Sequence, residues 1–176
     1  SSMQELWGKI FAVETSRPGS FSLRTLLTLK QLTQKDAQTF RRAVSLSSRR
    51  RDDTTPKLLT GFYQKPSMFA LFSLRKEQQL NLAMFGLSYP DLLSLMDLGL
   101  IHQTEIESGE WPMDAKFEWR SNGQIFNLTA RKNGTTLKYY KFTTTGAELF
   151  TLVGANKQEK YLEALKLTLT SAFTID

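Results

Sequence analysis

The sequence predicts an α+β fold in which an N-terminal layer of three helices precedes a three-stranded antiparallel meander. Apolar residues recur at helical spacing through the first 46 residues, and the later part of the chain changes to strand-like alternation. Two Asn-Gly pairs, Asn122-Gly123 and Asn133-Gly134, separate the β-prone runs. Asn-Gly supplies the positive φ angles of a type I′ turn and is the strongest short signal for a hairpin.

The first 46 residues are expected to form a platform of three short helices. The second helix is expected to begin at Ser20 or Ser22. Thr33 and Asp36 predict the start of the third, because a threonine side chain caps the free amides of a helix and an acidic residue in the first turn interacts favourably with the helix dipole.

Residues 47–57 contain no apolar side chain and are interpreted as a basic, polar loop or linker. The apolar pattern then resumes. The segment 68–72 is expected to be a strand or a buried helical turn. A helix is expected over 73–86, and a second one over 88–98, where Ser88 and Pro90 are typical of a helix start.

The meander is expected to run through 115–120, 124–131 and 135–142. Residues 145–154 are interpreted as a short helix, and 155–176 as a C-terminal segment carrying a last amphipathic helix. Strand alternation indicates which side chains of the meander point inward: Phe117, Trp119, Phe126, Leu128, Leu137 and Tyr139.

Residues 58–154 are interpreted as a winged-helix-like domain. The exit Leu98-Gly99-Leu100-Ile101 and the later step Thr143-Thr144-Thr145-Gly146 resemble those of winged helices in bacterial regulators. Gly99 is expected to end its helix in a left-handed conformation, and Thr145 to cap the next helix. The resemblance spans roughly residues 73–154 and implies two helices joined by a short turn, followed by a β wing.

The N-terminal helices are similar to an uncharacterised bacterial domain family, close to the abortive-infection alpha group. The similar residues are Leu6-Trp7-Gly8-Lys9, a turn containing Pro18, and the helix start Asp36-Ala37. This resemblance implies a bacterial cytoplasmic protein linked to phage defence. It assigns no catalytic residue.

The net charge of +6, from 23 basic and 17 acidic residues, permits contact with nucleic acid without demonstrating it. The helix over 88–98 carries Asp91 and Asp97 and no Lys or Arg, which argues against base readout in a major groove. The basic residues lie elsewhere. The candidate nucleic-acid contacts are Lys116, Arg120, Arg131, Lys132, Lys138, Lys141, Arg49, Arg50 and Arg51. The alternative for these cations is a solvated sheet face.

The chemistry available to the sequence is limited. There is no Cys and a single His, His102, which excludes thiolate chemistry and zinc sites that need Cys or two His ligands. No cofactor motif is found, and no apolar stretch approaches the roughly 20 residues of a membrane span. Asp114 and Lys116, with the upstream acids Glu105, Glu107 and Glu110, provide a three-residue likeness to metal-dependent nucleases.

We therefore expect a non-catalytic binding module that acts through protein–protein contact or oligomerisation. Nucleic-acid binding through a basic wing is the first alternative, with phosphate contacts that are independent of sequence. A metal-dependent nuclease is the second alternative. Exposed apolar faces of the first or last helix would support the protein partner.

Overall fold

The computed structural model describes residues 3–65, 76–121, 123–154 and 156–176. These residues form an α+β protein with six α-helices and one short 3-10 helix. None of the described helices is long and apolar enough to cross a membrane. The α-helices are α1 (Met3–Ser16), α2 (Leu23–Gln31), α3 (Gln34–Ser45), α4 (Tyr89–Asp97), α5 (Thr144–Phe150) and α6 (Glu159–Thr170), and the 3-10 helix is Leu82–Phe85.

The described strands form one antiparallel sheet of eight strands. Seven of them lie in the order β4-β7-β2-β1-β5-β6-β8, and β3 pairs with β2 outside this path. The strands are β1 (Ser48–Arg50), β2 (Lys57–Gln64), β3 (Lys76–Gln79), β4 (Ile106–Glu107), β5 (Lys116–Ser121), β6 (Gln124–Ala130), β7 (Thr135–Lys141) and β8 (Phe173–Ile175).

The expected three-stranded meander is wrong in its pairing. The β5–β6 hairpin is confirmed, with Trp119 opposite Phe126. Strand β7, however, pairs with β2 and β4 and not with β6. The reason is that β2 offers β7 a long antiparallel register, from Lys57 opposite Lys141 to Gln64 opposite Thr135.

This pairing requires a strongly curved sheet. Four inter-strand spacings separate β7 from β6 in the strand order, about 19 Å in a flat sheet. The two strands are nevertheless joined by residues 131–134, which form a bend and a turn. The segment before β5 closes the gap, because Trp111 bridges Thr135 and the Asp114 amide donates to the Ala130 carbonyl at 2.8 Å. The sheet therefore curls and encloses an inner side.

The interpretation of residues 47–57 as a loop or linker is wrong for β1, which lies in the middle of the sheet between β2 and β5. The strand has no apolar side chain because its buried residue, Ser48, pairs with another serine, Ser121 of β5. Ser48 Oγ donates to Ser121 Oγ at 3.0 Å, and both residues are buried. Residues 51–56 form the connection to β2.

The helix expected over 73–86 is also wrong in the described residues. Residues 76–79 are β3, which pairs with β2 so that Gln79 lies opposite Gly61, and a 3-10 helix follows. Residues 73–75 and the undecided segment 68–72 lie outside the described residues. The winged-helix arrangement is therefore not confirmed, since a strand and a 3-10 helix occupy the described part of its expected first helix.

Several local signals are confirmed. Thr33 with Asp36 and Ser88 with Asp91 form capping boxes at the starts of α3 and α4. Gly99 has the expected positive φ of 69° after α4. The cap of α5 is Thr143 and not Thr145.

The buried apolar residues of the helices and of the sheet form one core. In β2 both faces are covered, because the successive residues Leu58 and Leu59 are each fully buried. The predicted inward positions are confirmed, because four are buried and the remaining two pack against the core. Helix α6 ends at Thr170, and the strand β8 that follows it, which the sequence did not predict, pairs with β6 and buries Phe173.

Candidate nucleic-acid interface

The central strands β1 and β5 direct their basic residues to opposite sides of the sheet. Arg49 lies opposite Arg120, and Arg50 lies opposite Trp119. Cross-strand partners of an antiparallel pair share one face, and successive residues alternate between faces. Arg49 and Arg120 therefore point to the outer side, whereas Arg50 points to the inner side with the buried Trp119.

Four of the candidate cations share the outer side, and we call them the basic face: Arg49, Arg51, Lys116 and Arg120. The Arg51 amide donates to the Glu118 carbonyl at 3.1 Å, which continues the pairing beyond β1. Lys116 is exposed, and the Arg51 side chain is 67% exposed. Lys116 and Arg120 lie four residues apart on β5, about 13 Å along the strand.

Glu118 lies within the basic face and reduces its charge. Its Oε1 accepts a hydrogen bond from Arg120 Nε at 2.7 Å, and its Oε2 lies 3.6 Å from Arg51 Nη1. The Arg51 and Arg120 side chains remain 67% and 36% exposed, so these ion pairs are worth little in stability. A polyanion can therefore replace Glu118 as the partner of Arg51 and Arg120, because both cations remain accessible to solvent.

Arg131 and Lys132 lie in the turn after β6 and are exposed. Thr129 lies opposite Lys116, on the same side of the sheet. Arg131 comes two residues after Thr129, so it continues this side of the sheet just beyond Lys116. Its amide donates to the Ala172 carbonyl at 2.9 Å, which fixes the backbone and leaves the side chain in solvent. Both residues therefore extend the basic surface and do not form part of its centre.

Lys138 and Lys141 belong to a different part of the sheet. Lys138 Nζ lies 3.1 Å from Glu77 and 3.2 Å from Glu105, and hydrogen bonds to these two carboxylates raise the pKa of the lysine. Two carboxylates neutralise its charge. Lys141 lines a separate cavity of about 620 Å³ with His102. The structure does not bring either lysine to the basic face.

The inner side holds a cavity of about 170 Å³ that the sequence did not predict, and we call it the inner pocket. Its position follows from the curl, which brings β7 and the segment before β5 towards the inner side of β1 and β5. Alternation indicated that Trp119 and Tyr139 point inward, but no local signal indicated that they meet. The inner pocket is lined by Arg50, Lys57, Ser108, Gly109, Trp111, Trp119, Leu137 and Tyr139.

The acids proposed for a metal-dependent nuclease are not gathered into one site. Glu107 accepts a hydrogen bond from the Tyr63 hydroxyl at 2.7 Å, Glu110 pairs with Lys65, and Glu105 pairs with Lys138. Within the described ranges, no group of three His, Cys, Asp or Glu residues is placed to hold a metal ion. The geometry therefore gives the nuclease hypothesis no support.

Comparison with known proteins gives one match. No curated protein and no solved structure matches the chain. The model of a family described as a protein of unknown function, DUF2806, matches residues 1–166. Because this match covers nearly the whole sequence, the chain belongs to the DUF2806 family.

Proposed function

We propose that the protein is a non-catalytic binding module that contacts nucleic-acid phosphates through the basic face. One observation carries this proposal: the antiparallel register sets Arg49 directly opposite Arg120 on the outer side. Arg51 and Lys116 add two further cations there. Guanidinium groups form bidentate hydrogen bonds with phosphate, and rows of such groups supply affinity that does not depend on base sequence.

The charge of α4 argues against base readout by this helix in a groove. Asp91 and Asp97 are its charged residues, and a phosphate backbone repels both. Discrimination between sequences is therefore expected to be weak. The affinity should depend steeply on salt, with a slope of about −3 in a plot of log K against log salt for four contacts to a single strand.

The test is a double charge reversal, Arg49→Glu with Arg120→Glu. Fluorescence anisotropy of labelled single-stranded and duplex DNA and RNA would be titrated at low and near-physiological salt. We expect the reversal to abolish binding, because it replaces two central phosphate contacts with repulsive carboxylates. The matched control is Lys30→Glu with Lys160→Glu, which makes the same change in net charge at exposed positions on α2 and α6.

Glu118→Gln should have the opposite effect on the affinity for nucleic acid. It removes the carboxylate that competes for Arg51 and Arg120, so the affinity should rise by a few-fold. The proposal fails if the wild-type protein does not bind at low salt, or if the control reversal weakens binding as much as the reversal on the basic face.

A second candidate function, protein–protein contact, is favoured by the exposed apolar side chains of α1 and α2. Leu23 and Leu27 lie one turn apart on α2 and are 73% and 52% exposed, and Phe11 of α1 is 64% exposed. Large exposed apolar groups on one helix face are typical of interaction sites. A protein partner or a second copy of the chain would bury them.

The experiment for this candidate combines Leu23→Glu and Leu27→Glu in one variant, the α2 variant. Its control is Met84→Glu, a change at a similarly exposed apolar residue in the 3-10 helix. Self-association would be measured by sedimentation velocity over a range of protein concentrations. We expect the α2 variant to remain monomeric at concentrations at which the wild type and the control associate. A wild type that is monomeric at every concentration rules out the homo-oligomer.

The cellular setting forms a further part of the proposal. The similarity of the N-terminal helices to the abortive-infection alpha group supports a role in a bacterial cytoplasm and in phage defence, and α4 with its Gly99 exit retains features shared with winged helices. The test is the efficiency of plaque formation by phage on cells with and without the gene. Equal efficiencies would rule out the defence role.

A further inference from the structure

The inner pocket is lined by an arginine that has no carboxylate partner. The Arg50 guanidinium carbon lies 5.5 Å from the centre of the Phe117 ring. No carboxylate of the described residues forms an ion pair with Arg50. Its guanidinium donors are therefore available to an anionic ligand.

The walls of the inner pocket are aromatic. Trp111, Trp119 and Tyr139 line it together with Leu137. Its volume of about 170 Å³ is close to that of an engineered cavity of about 150 Å³ that holds benzene. The inner pocket therefore has room for one planar ring and little more.

The charge of the inner pocket is positive. Lys57 Nζ lies 4.9 Å from the centre of the Tyr139 ring, and Arg50 lines the same cavity. Asp53 forms an ion pair with Lys57 at 2.5 Å and so balances one of the two cations. The remaining charge, on Arg50, repels cationic ligands and attracts an anionic group.

We propose that the inner pocket binds a planar aromatic ring that carries a negative group. Such a ring is supplied by a free aromatic carboxylate or by the base of a nucleoside monophosphate. In the first case the carboxylate lies on Arg50 within the pocket. In the second case the base lies in the pocket and the phosphate lies on Arg50. This arginine also lines an outer cavity of about 470 Å³, where Arg51 and Lys116 lie among the carboxylates of Asp52, Glu118 and Asp176. The inner pocket itself lies on the opposite side of the sheet from Arg49 and Arg120, whereas the outer cavity includes Arg51 and Lys116 of the basic face.

The experiment measures binding of four probes by isothermal titration calorimetry: orotate, uridine monophosphate, uracil and inorganic phosphate. Orotate or uridine monophosphate should bind at least tenfold more tightly than uracil and phosphate, because only the first two combine a ring with a charge. Lys116→Gln should weaken the binding of uridine monophosphate and leave the binding of orotate unchanged. This difference distinguishes a nucleotide from a free aromatic carboxylate as the source of the ring.

Arg50→Gln should weaken the binding of the ring anion by about tenfold to a hundredfold, the usual effect of losing a charge-assisted hydrogen bond. The matched control is Arg17→Gln, an exposed arginine after α1 that lies in neither candidate site, which should leave the affinity unchanged. Arg50→Lys keeps the charge and should give an intermediate affinity, so the test holds even if Arg50→Gln unfolds. The proposal is overturned if neither ring anion binds, if uracil or phosphate binds as tightly, or if both glutamine variants behave alike.

Discussion

At the scale of single residues, Thr143 and Gly146 show why the Thr-x-x-Gly step occurs where it does. The Thr143 hydroxyl donates to the Gly99 carbonyl at 2.6 Å and accepts from the Gly146 amide at 3.0 Å, which ties the end of α4 to the start of α5. Gly146 lies so close to the neighbouring chain that a Cβ atom there would overlap with the Leu100 carbonyl oxygen. The glycine is required by this contact between backbones.

Gly146→Ala is therefore expected to lower the free energy of unfolding by about 3 kcal/mol or more, because the obstacle is a backbone carbonyl that cannot rotate away. Gly8→Ala is the matched control. Gly8 lies inside α1, and a methyl group added there would have no neighbouring atom within 4 Å, so alanine should raise the free energy of unfolding by about 0.5–1 kcal/mol. Urea denaturation measures both. Equal effects of the two variants would contradict the proposed contact.

At the scale of elements, the helix starts are determined locally. In α4, the Ser88 amide and hydroxyl donate to Asp91 Oδ2 at 2.9 Å and 2.6 Å. The hydrogen bond from the Ser88 side chain is the main cause that holds the pKa of Asp91 below its ordinary value of 3.8. The capping box therefore stabilises α4 when Asp91 is ionised.

Asp91→Asn should lower the free energy of unfolding by about 0.5–1 kcal/mol at neutral pH. Because the folded-state pKa is depressed, this contribution is present above pH 3.8 and is lost as the pH falls through the folded-state pKa. The difference between wild type and variant in thermal unfolding should thus shrink in acid. Asp97→Asn, at the last turn of α4, is the control and should be neutral or slightly stabilising. A difference that persists undiminished at about pH 2, well below the unfolded-state pKa, would exclude the ionised cap.

At the scale of the whole molecule, the position of β1 creates both candidate sites. A three-residue strand in the middle of the sheet places Arg49 on the outer side and Arg50 on the inner side. The curl then brings β7 and the segment before β5 to the inner side, where Tyr139 and Trp111 complete the inner pocket. Neither site would exist if residues 47–57 were a mobile linker.

Local signals determined much of this protein from its sequence alone. The caps of α3 and α4, the left-handed Gly99, the β5–β6 hairpin and the inward positions of β5 to β7 all depend on residues close together in the chain. Such features are encoded by side-chain chemistry within a few residues, and each was predicted.

The tertiary structure alone decided the strand partners. Backbone amides and carbonyls are alike in every strand, so the choice of β2 over β6 as the partner of β7 depends on the packing of distant segments and leaves no local pattern. For the same reason the nine candidate cations looked equivalent in the sequence. Register placed four of them on one face, turned Arg50 inward, and paired Lys138 with two carboxylates, because these outcomes depend on which strands lie side by side.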